Sequence, residues 1–272
     1  MSLRSAQRNA VAFLAVTLFA IADYYRTWSP VSLLGHLTRF ERITSYRIVD
    51  GVTFLVLGYF LAPRMRRYLK PPSLTKHWYA LPLLILLFIS PYLSEIYAFR
   101  HDLTDLARAF YWVFAIGFNE EFISRFLIFG LLKKYVGLWP ATIISAVNFG
   151  MMHFGNLNID GQGLQETTIQ VVGASCFGFM AVALMLYFRS IWVPILIHGI
   201  TDLSLSVGPQ RASATATTGG ISGHGISWLD WASVLTQGAF EVLIGITLLT
   251  LARYLRCGRR IRELASYLKL TM

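Results

Sequence analysis

Glu120 and Glu121 stand side by side near the middle of an apolar stretch, Ala109–Leu132, and Arg125 follows the second glutamate by four residues. Each ionisable group at the centre of a hydrocarbon-spanning helix costs on the order of 2.5–3.5 kcal/mol on insertion scales, and such groups normally face a protein interior or a wet cavity. Helical phase sorts the three. At about 100° per residue Glu121 and Arg125 lie about 40° apart, whereas Glu120 and Arg125 lie about 140° apart. Arg125 is therefore expected to neutralise Glu121, leaving Glu120 unpaired on another face. A desolvated carboxylate without a partner is suited to act as a general base.

Three more ionisable residues sit in later apolar stretches. His153 ends the run Asn148-Phe149-Gly150-Met151-Met152-His153, and His198 and Asp202 stand four apart in His198-Gly199-Ile200-Thr201-Asp202, hence on one helical face. Counting a rise of about 1.5 Å per residue puts Glu120 and His198 near the midplane and His153 somewhat outward. Each has a bland alternative. A lone histidine can bond a backbone carbonyl, a Glu–Arg pair at this spacing can be helix glue, and Asp202 can cap locally. Glu241, without a partner in the sequence, reads as structural or cavity-lining. What the bland readings leave unexplained is the concentration of such residues on the fourth, fifth and seventh stretches. His36, His77, His101 and His224 fall in loops. There is no HExxH, no GxSxG and no P-loop, which removes a helix-borne zincin site, a nucleophile elbow and a nucleotide-binding loop. Glu120, His153 and His198 would make an adequate zinc set with one open position, so zinc is chemically compatible although none is assigned.

These residues need helices to hold them. The 272-residue chain is 55% hydrophobic and 14% charged, the balance of a polytopic membrane protein. Eight apolar stretches are read as spans: Asn9–Tyr24, Ile48–Ala62, Trp78–Tyr97, Ala109–Leu132, Leu138–His153, Thr168–Phe188, Ile191–Val207 and Trp228–Ala252. The second is short and the seventh carries Pro194. With both termini cytoplasmic, 16 of the 24 Lys and Arg residues fall in inside segments and 7 in outside ones, Arg125 being the remaining one. The net charge of +10 thus reflects topology and anionic headgroups, not nucleic acid. The first stretch reads as a retained anchor, without a small-residue cleavage site after it. Cys176 and Cys257 are expected to form no disulfide, and Leu-Lys-Leu-Thr-Met is not a prenylation signal. The first three spans, poor in internal charge and edged with aromatics, are expected to be scaffold, with a surface helix in the polar Asp23–Arg47. Two long polar segments, 155–166 and 208–225, read as surface loops or gates.

In order, the chain carries Glu120-Glu121-Phe-Ile-Ser-Arg125, then Phe149-Gly-Met-Met-His153, then His198-Gly-Ile-Thr-Asp202. This series resembles the EExxxR, FxxxH and HxxxN/D motifs of the CAAX prenyl protease type II family, also called CPBP or Abi intramembrane proteases. Flanking Ile144-Ser145-Ala146 and Ser190-Ile191-Trp192-Val193-Pro194-Ile195-Leu196 match as well, so the likeness extends over 109–207. The resemblance implies that Glu120 activates a water for attack on a peptide carbonyl with help from His153. It implies that His198 and Asp202 stabilise the oxyanion and that Glu121 and Arg125 support the site. Asp202 stands where many members have Asn; an amide donates to an oxyanion directly, whereas an aspartate must be protonated or act by orienting His198. Ser124 and Phe126 depart from the family's usual aromatic before the arginine and glycine after it.

The expectation is an all-α, polytopic membrane protein, a single membrane domain over 1–272 with about eight transmembrane helices around an intramembrane catalytic cavity in 109–207. Its expected activity is endopeptidase cleavage of a membrane-embedded or lipidated, CAAX-type protein or peptide, in a multi-pass cell-membrane protein, with no cofactor required. A proton- or ion-coupled transporter is the rival, since midplane acids and histidines also serve proton relays. No inverted pair of broken helices supports it. A non-catalytic immunity or assembly factor on the same fold is the third reading.

Overall fold

The computed structural model describes residues 39–73, 80–90, 103–158, 162–202 and 227–270. The expected first span, Asn9–Tyr24, and the loop 208–225 lie outside them. Among the described residues there is no strand, and the helices in order are α1 (Arg39–Leu61), α2 (Ala80–Ile89), α3 (Leu103–Glu121), α4 (Phe129–Val136), α5 (Leu138–Met152), α6 (Leu164–Phe188), α7 (Trp192–Thr201) and α8 (Trp228–Leu270). The all-α class expected from the sequence holds. Two helices are individually long and apolar enough to cross a membrane, Leu164–Phe188 and Trp228–Tyr254.

The outward faces of α1 and α5 are apolar, and each helix also buries polar side chains. On α5, Ile143, Val147 and Met151 face outward, while Thr142 and Ser145 are buried. On α1 the outward residues include Val52, Val56 and Phe60, and Thr44 is buried. Outward apolar and inward small or polar side chains suit a surround of acyl chains, which cannot hydrogen-bond and so drive polar groups inside.

Several helices differ from the expected stretches in ways that shape the interior. α1 runs from Arg39, so the end of the Asp23–Arg47 segment is part of that long helix, while residues 23–38, where a surface helix was expected, lie outside the described residues. The fourth stretch is a composite rod: α3 passes through a π-helical turn, Phe122–Ile128, into α4. Bonding there runs i to i+5, as in Phe129 N–H to the Ser124 carbonyl. The Ser145 hydroxyl of α5 donates to that same carbonyl at 2.8 Å, clamping the turn to its neighbour. α7 has only 10 residues, and Pro194 falls in its first turn, where a missing N–H costs nothing. A strap between α1 and α2 fixes its start: Ile191 N–H donates to the Tyr68 carbonyl at 2.8 Å and Trp192 Nε1–H to the Leu69 carbonyl at 2.7 Å. α8 is 43 residues long and continues well past the expected end at Ala252.

The core is a wall of phenylalanines. Phe118, Phe122 and Phe126 step along the composite rod, with successive ring centroids 4.7 and 5.6 Å apart. Trp192 packs against the first two. Long α6 lies against α5, α7 and α8, and α1 lies against α3 and the π turn.

Candidate active site

Two glycine crossings bring the charged residues together. At Gly117 of α3 a Cβ would stand 3.0 Å from the Ile195 carbonyl and 3.5 Å from the His198 Cβ, so the missing side chain lets α7 cross closely here. One turn later α3 presents Glu121, and its Oε1 meets His198 Nδ1 at 2.9 Å. On the other side Gly51 of α1 abuts the Phe118 ring, and a Cβ there would come within 3.2 Å of the Asn119 Cα. One turn before Gly51 lies Arg47, whose Nη1 reaches Glu120 Oε1 at 3.2 Å and Asn119 Oδ1 at 3.5 Å.

The resulting cluster is almost wholly enclosed. Glu121 and Arg125 are fully buried, and Glu120 and His198 are each 4% exposed. Arg125 Nε stands 2.9 Å from Glu121 Oε2, the pair anticipated from helical phase, and it forms across the start of the π turn. The guanidinium also lies over the Phe149 ring, 4.1 Å from its centroid. His198 Nε2 faces Asp202 Oδ2 at 3.4 Å and Glu120 Oε2 at 3.8 Å, so each ring nitrogen looks toward a carboxylate. One expectation is overturned: Glu120 is not unpaired, because Arg47 holds one of its oxygens.

His153 enters from α5. Its Nδ1 lies 3.0 Å from the Phe149 carbonyl. A carbonyl can only accept, so Nδ1 carries the proton, and in the neutral ring the lone pair is on Nε2. This is the backbone bond of the bland reading, yet it also sets the tautomer that a proton acceptor needs. Phe149 joins His153 to the rest: its ring meets the His153 ring edge-on at 5.0 Å and the His198 ring at 5.7 Å. Phe177 of α6 covers the other side of His198, with ring centroids 5.0 Å apart.

All three motifs therefore meet, and each does so at an irregularity. Glu120 and Glu121 end α3 at the π turn, His153 caps α5, and Asp202 caps α7. At such places backbone groups and side chains turn toward one another instead of along a regular ladder. Among the described residues no group of three or more His, Cys, Asp and Glu side chains is placed to hold a metal ion. Glu241 lies elsewhere, buried on α8 and hydrogen-bonded to Gln237 Nε2 at 3.0 Å.

Residues 101–204 match the family described as type II CAAX prenyl endopeptidase Rce1-like. Over this stretch, the Rce1-like region, the chain is similar to that family. The match supports the family suggested by the three motifs and, together with the apolar helices, a membrane protease of the CAAX type in broad terms. No curated protein and no solved structure matches the chain. The Rce1-like region includes α3 to α7 and all six residues singled out in the sequence, but not Arg47. Arg47, Asn119, Phe149 and Phe177 are residues around the site that received no role from the sequence. Phe149 was visible as the first residue of its motif. Arg47 carried no signal that set it apart from other basic residues at span ends.

Proposed function

We propose that the chain is a multi-pass intramembrane endopeptidase, about eight spans with cytoplasmic termini, that hydrolyses a peptide bond of a membrane-embedded or lipidated substrate. The observation that carries the reading is the convergence of Glu120, His198 and Asp202 behind the buried Glu121–Arg125 pair, with His153 joined through Phe149. Glu120 takes a proton from water as the hydroxide oxygen attacks the substrate carbonyl, and His153 Nε2 assists by accepting a hydrogen bond from that water. The tetrahedral oxyanion is stabilised by N–H donation from His198 Nε2, with the ring oriented by Glu121 at Nδ1, and Asp202 donates as well when protonated. Collapse of the intermediate breaks the C–N bond, and the proton held by Glu120 passes to the departing amine.

In this reading the unit over 109–207 is the catalytic core of a single membrane domain, and the protein's own side chains suffice without a metal. Purified protein in detergent should cleave a prenylated, quenched fluorogenic CAAX-type peptide. Glu120→Gln should lower that rate by roughly 10²–10⁴-fold, the range of general acid–base contributions. Cleavage by the Gln variant at the wild-type rate would overturn the assignment. Cleavage that stops in excess chelator and returns with added zinc would replace the metal-free mechanism by a metal-assisted one. In cells, a membrane substrate that accumulates uncut with Glu120→Ala separates a protease from a transporter or a non-catalytic factor.

A further inference from the structure

We infer that Arg47 is a positioning residue for the general base, supplied by a helix outside the Rce1-like region. The inference rests on the proposed hydrolytic role of Glu120. The two neighbouring glutamates each have an arginine, but in different ways. Glu121 has Arg125 on its own rod, 2.9 Å away and fully buried with it. Glu120 has Arg47 from a separate helix, 3.2 Å away, with 18% of the Arg47 side chain exposed. The first pair is closed; the second is partly open on the Arg47 side.

Of the two Glu120 oxygens, Arg47 is placed against one. It binds Glu120 Oε1, while Oε2 is turned toward His198 Nε2. A glutamate has three side-chain torsions, and a base that wanders among rotamers loses the alignment on which proton transfer depends. Holding Oε1 from α1 aims Oε2 at the space beside His198. Charge points the same way. Glu120, Glu121 and Asp202 bring three carboxylates to one enclosed site against Arg125 and the His198 ring, and Arg47 supplies the further cation that an uncompensated buried carboxylate would lack. Asn119, whose Oδ1 also faces Arg47 Nη1 at 3.5 Å, helps keep the guanidinium over the acid. The approach depends on Gly51, which lets α1 close on α3 one turn from Arg47.

The test uses the full chain in detergent and the quenched prenylated peptide. Arg47→Gln should lower kcat roughly 100-fold, within the span of general-base effects, with KM little changed. Arg47→Lys, which keeps a cation but not the planar fork, should recover part of the loss. Millimolar guanidinium should restore activity to Arg47→Ala, a response that a merely structural role would not give. A second measurement needs no substrate. In a melting-temperature cycle, Arg47→Gln should destabilise the Glu120 protein more than the Glu120→Gln protein. Wild-type kcat in Arg47→Gln, failure of guanidinium to rescue folded Arg47→Ala, or equal destabilisation in both backgrounds would overturn the inference. A wild-type protein that does not cleave the peptide counts against the hydrolytic reading instead, and the melting cycle then still decides whether the pair exists.

Discussion

Glu121 and Glu241 are both buried acids on long helices, yet their surroundings have little in common. Around Glu121, the π turn and α7 contribute an arginine and a histidine, and α5 lays the Phe149 ring under the guanidinium. Around Glu241, the hydrogen bond comes from Gln237 one turn earlier on the same helix, where Gly238 of α8 packs against Cys176 of α6. The α6–α8 contact is thus an apolar seam with one acid satisfied locally. The α3–α7 contact is a charged joint whose members come from different segments of chain. A buried carboxylate compensated from several helices ties those helices into one geometry, whereas one compensated within its own helix ties nothing.

Four substitutions would break or sharpen that contrast. Removing one member of the closed pair should have the largest effect. Glu121→Leu or Arg125→Leu alone should destabilise the protein by about 3–5 kcal/mol, because each strands a buried charge, while the double variant should lose less than the sum. Thermal unfolding in detergent, followed for both singles and the double, measures this; strict additivity would mean that the pair is not coupled. A smaller loss is expected at the helix crossing. Gly51→Val should cost about 1–3 kcal/mol as an overpacking change and should reduce cleavage by moving Arg47 away from Glu120. Full activity in a folded Gly51→Val protein would show that the approach of α1 is not needed. The least effect belongs to the seam. Glu241→Gln keeps a hydrogen-bonding partner for Gln237, so stability should change by less than about 1 kcal/mol and cleavage should be unaffected. A large loss of cleavage would make the two regions functionally alike.

The contrast was partly legible in the sequence. Ionisable residues in apolar helices stand out because hydrocarbon penalises them, so Glu120, Glu121, Arg125, His153, His198 and Asp202 could be found and the Glu121–Arg125 pair phased. Arg47 could not be. A basic residue just before an apolar stretch is explained equally well by topology, and its pairing with a residue 73 positions away is a tertiary fact. The π turn was hidden too, since Phe-Ile-Ser-Arg-Phe-Leu-Ile has the composition of an ordinary apolar helix. Helix ends were hidden for a related reason. The apolar run of α7 continues through Ile200 up to its last residue, so composition alone did not show that the helix stops at Thr201 and leaves Asp202 as its cap. Depth estimates assuming unbroken rods therefore described helix middles where the chain has helix ends and a bulge.

The π turn has a consequence for how this chain can change in length. An i-to-i+5 ring holds one more residue than an α turn, so the segment Phe122–Ile128 behaves as a one-residue insertion stored within a continuous rod. Deleting one residue there would let the rod become regular α-helix throughout. The wide turn takes up the extra residue within itself, so everything beyond would keep its facing relative to α3, and Phe129 and Leu131 would stay inside. What would go is the Ser124 carbonyl that the wide turn presents to the Ser145 hydroxyl. Single-residue deletions, usually tolerated in loops and ruinous in helices, should here be absorbed, with the acids before the turn and Lys133 and Lys134 after it keeping their places.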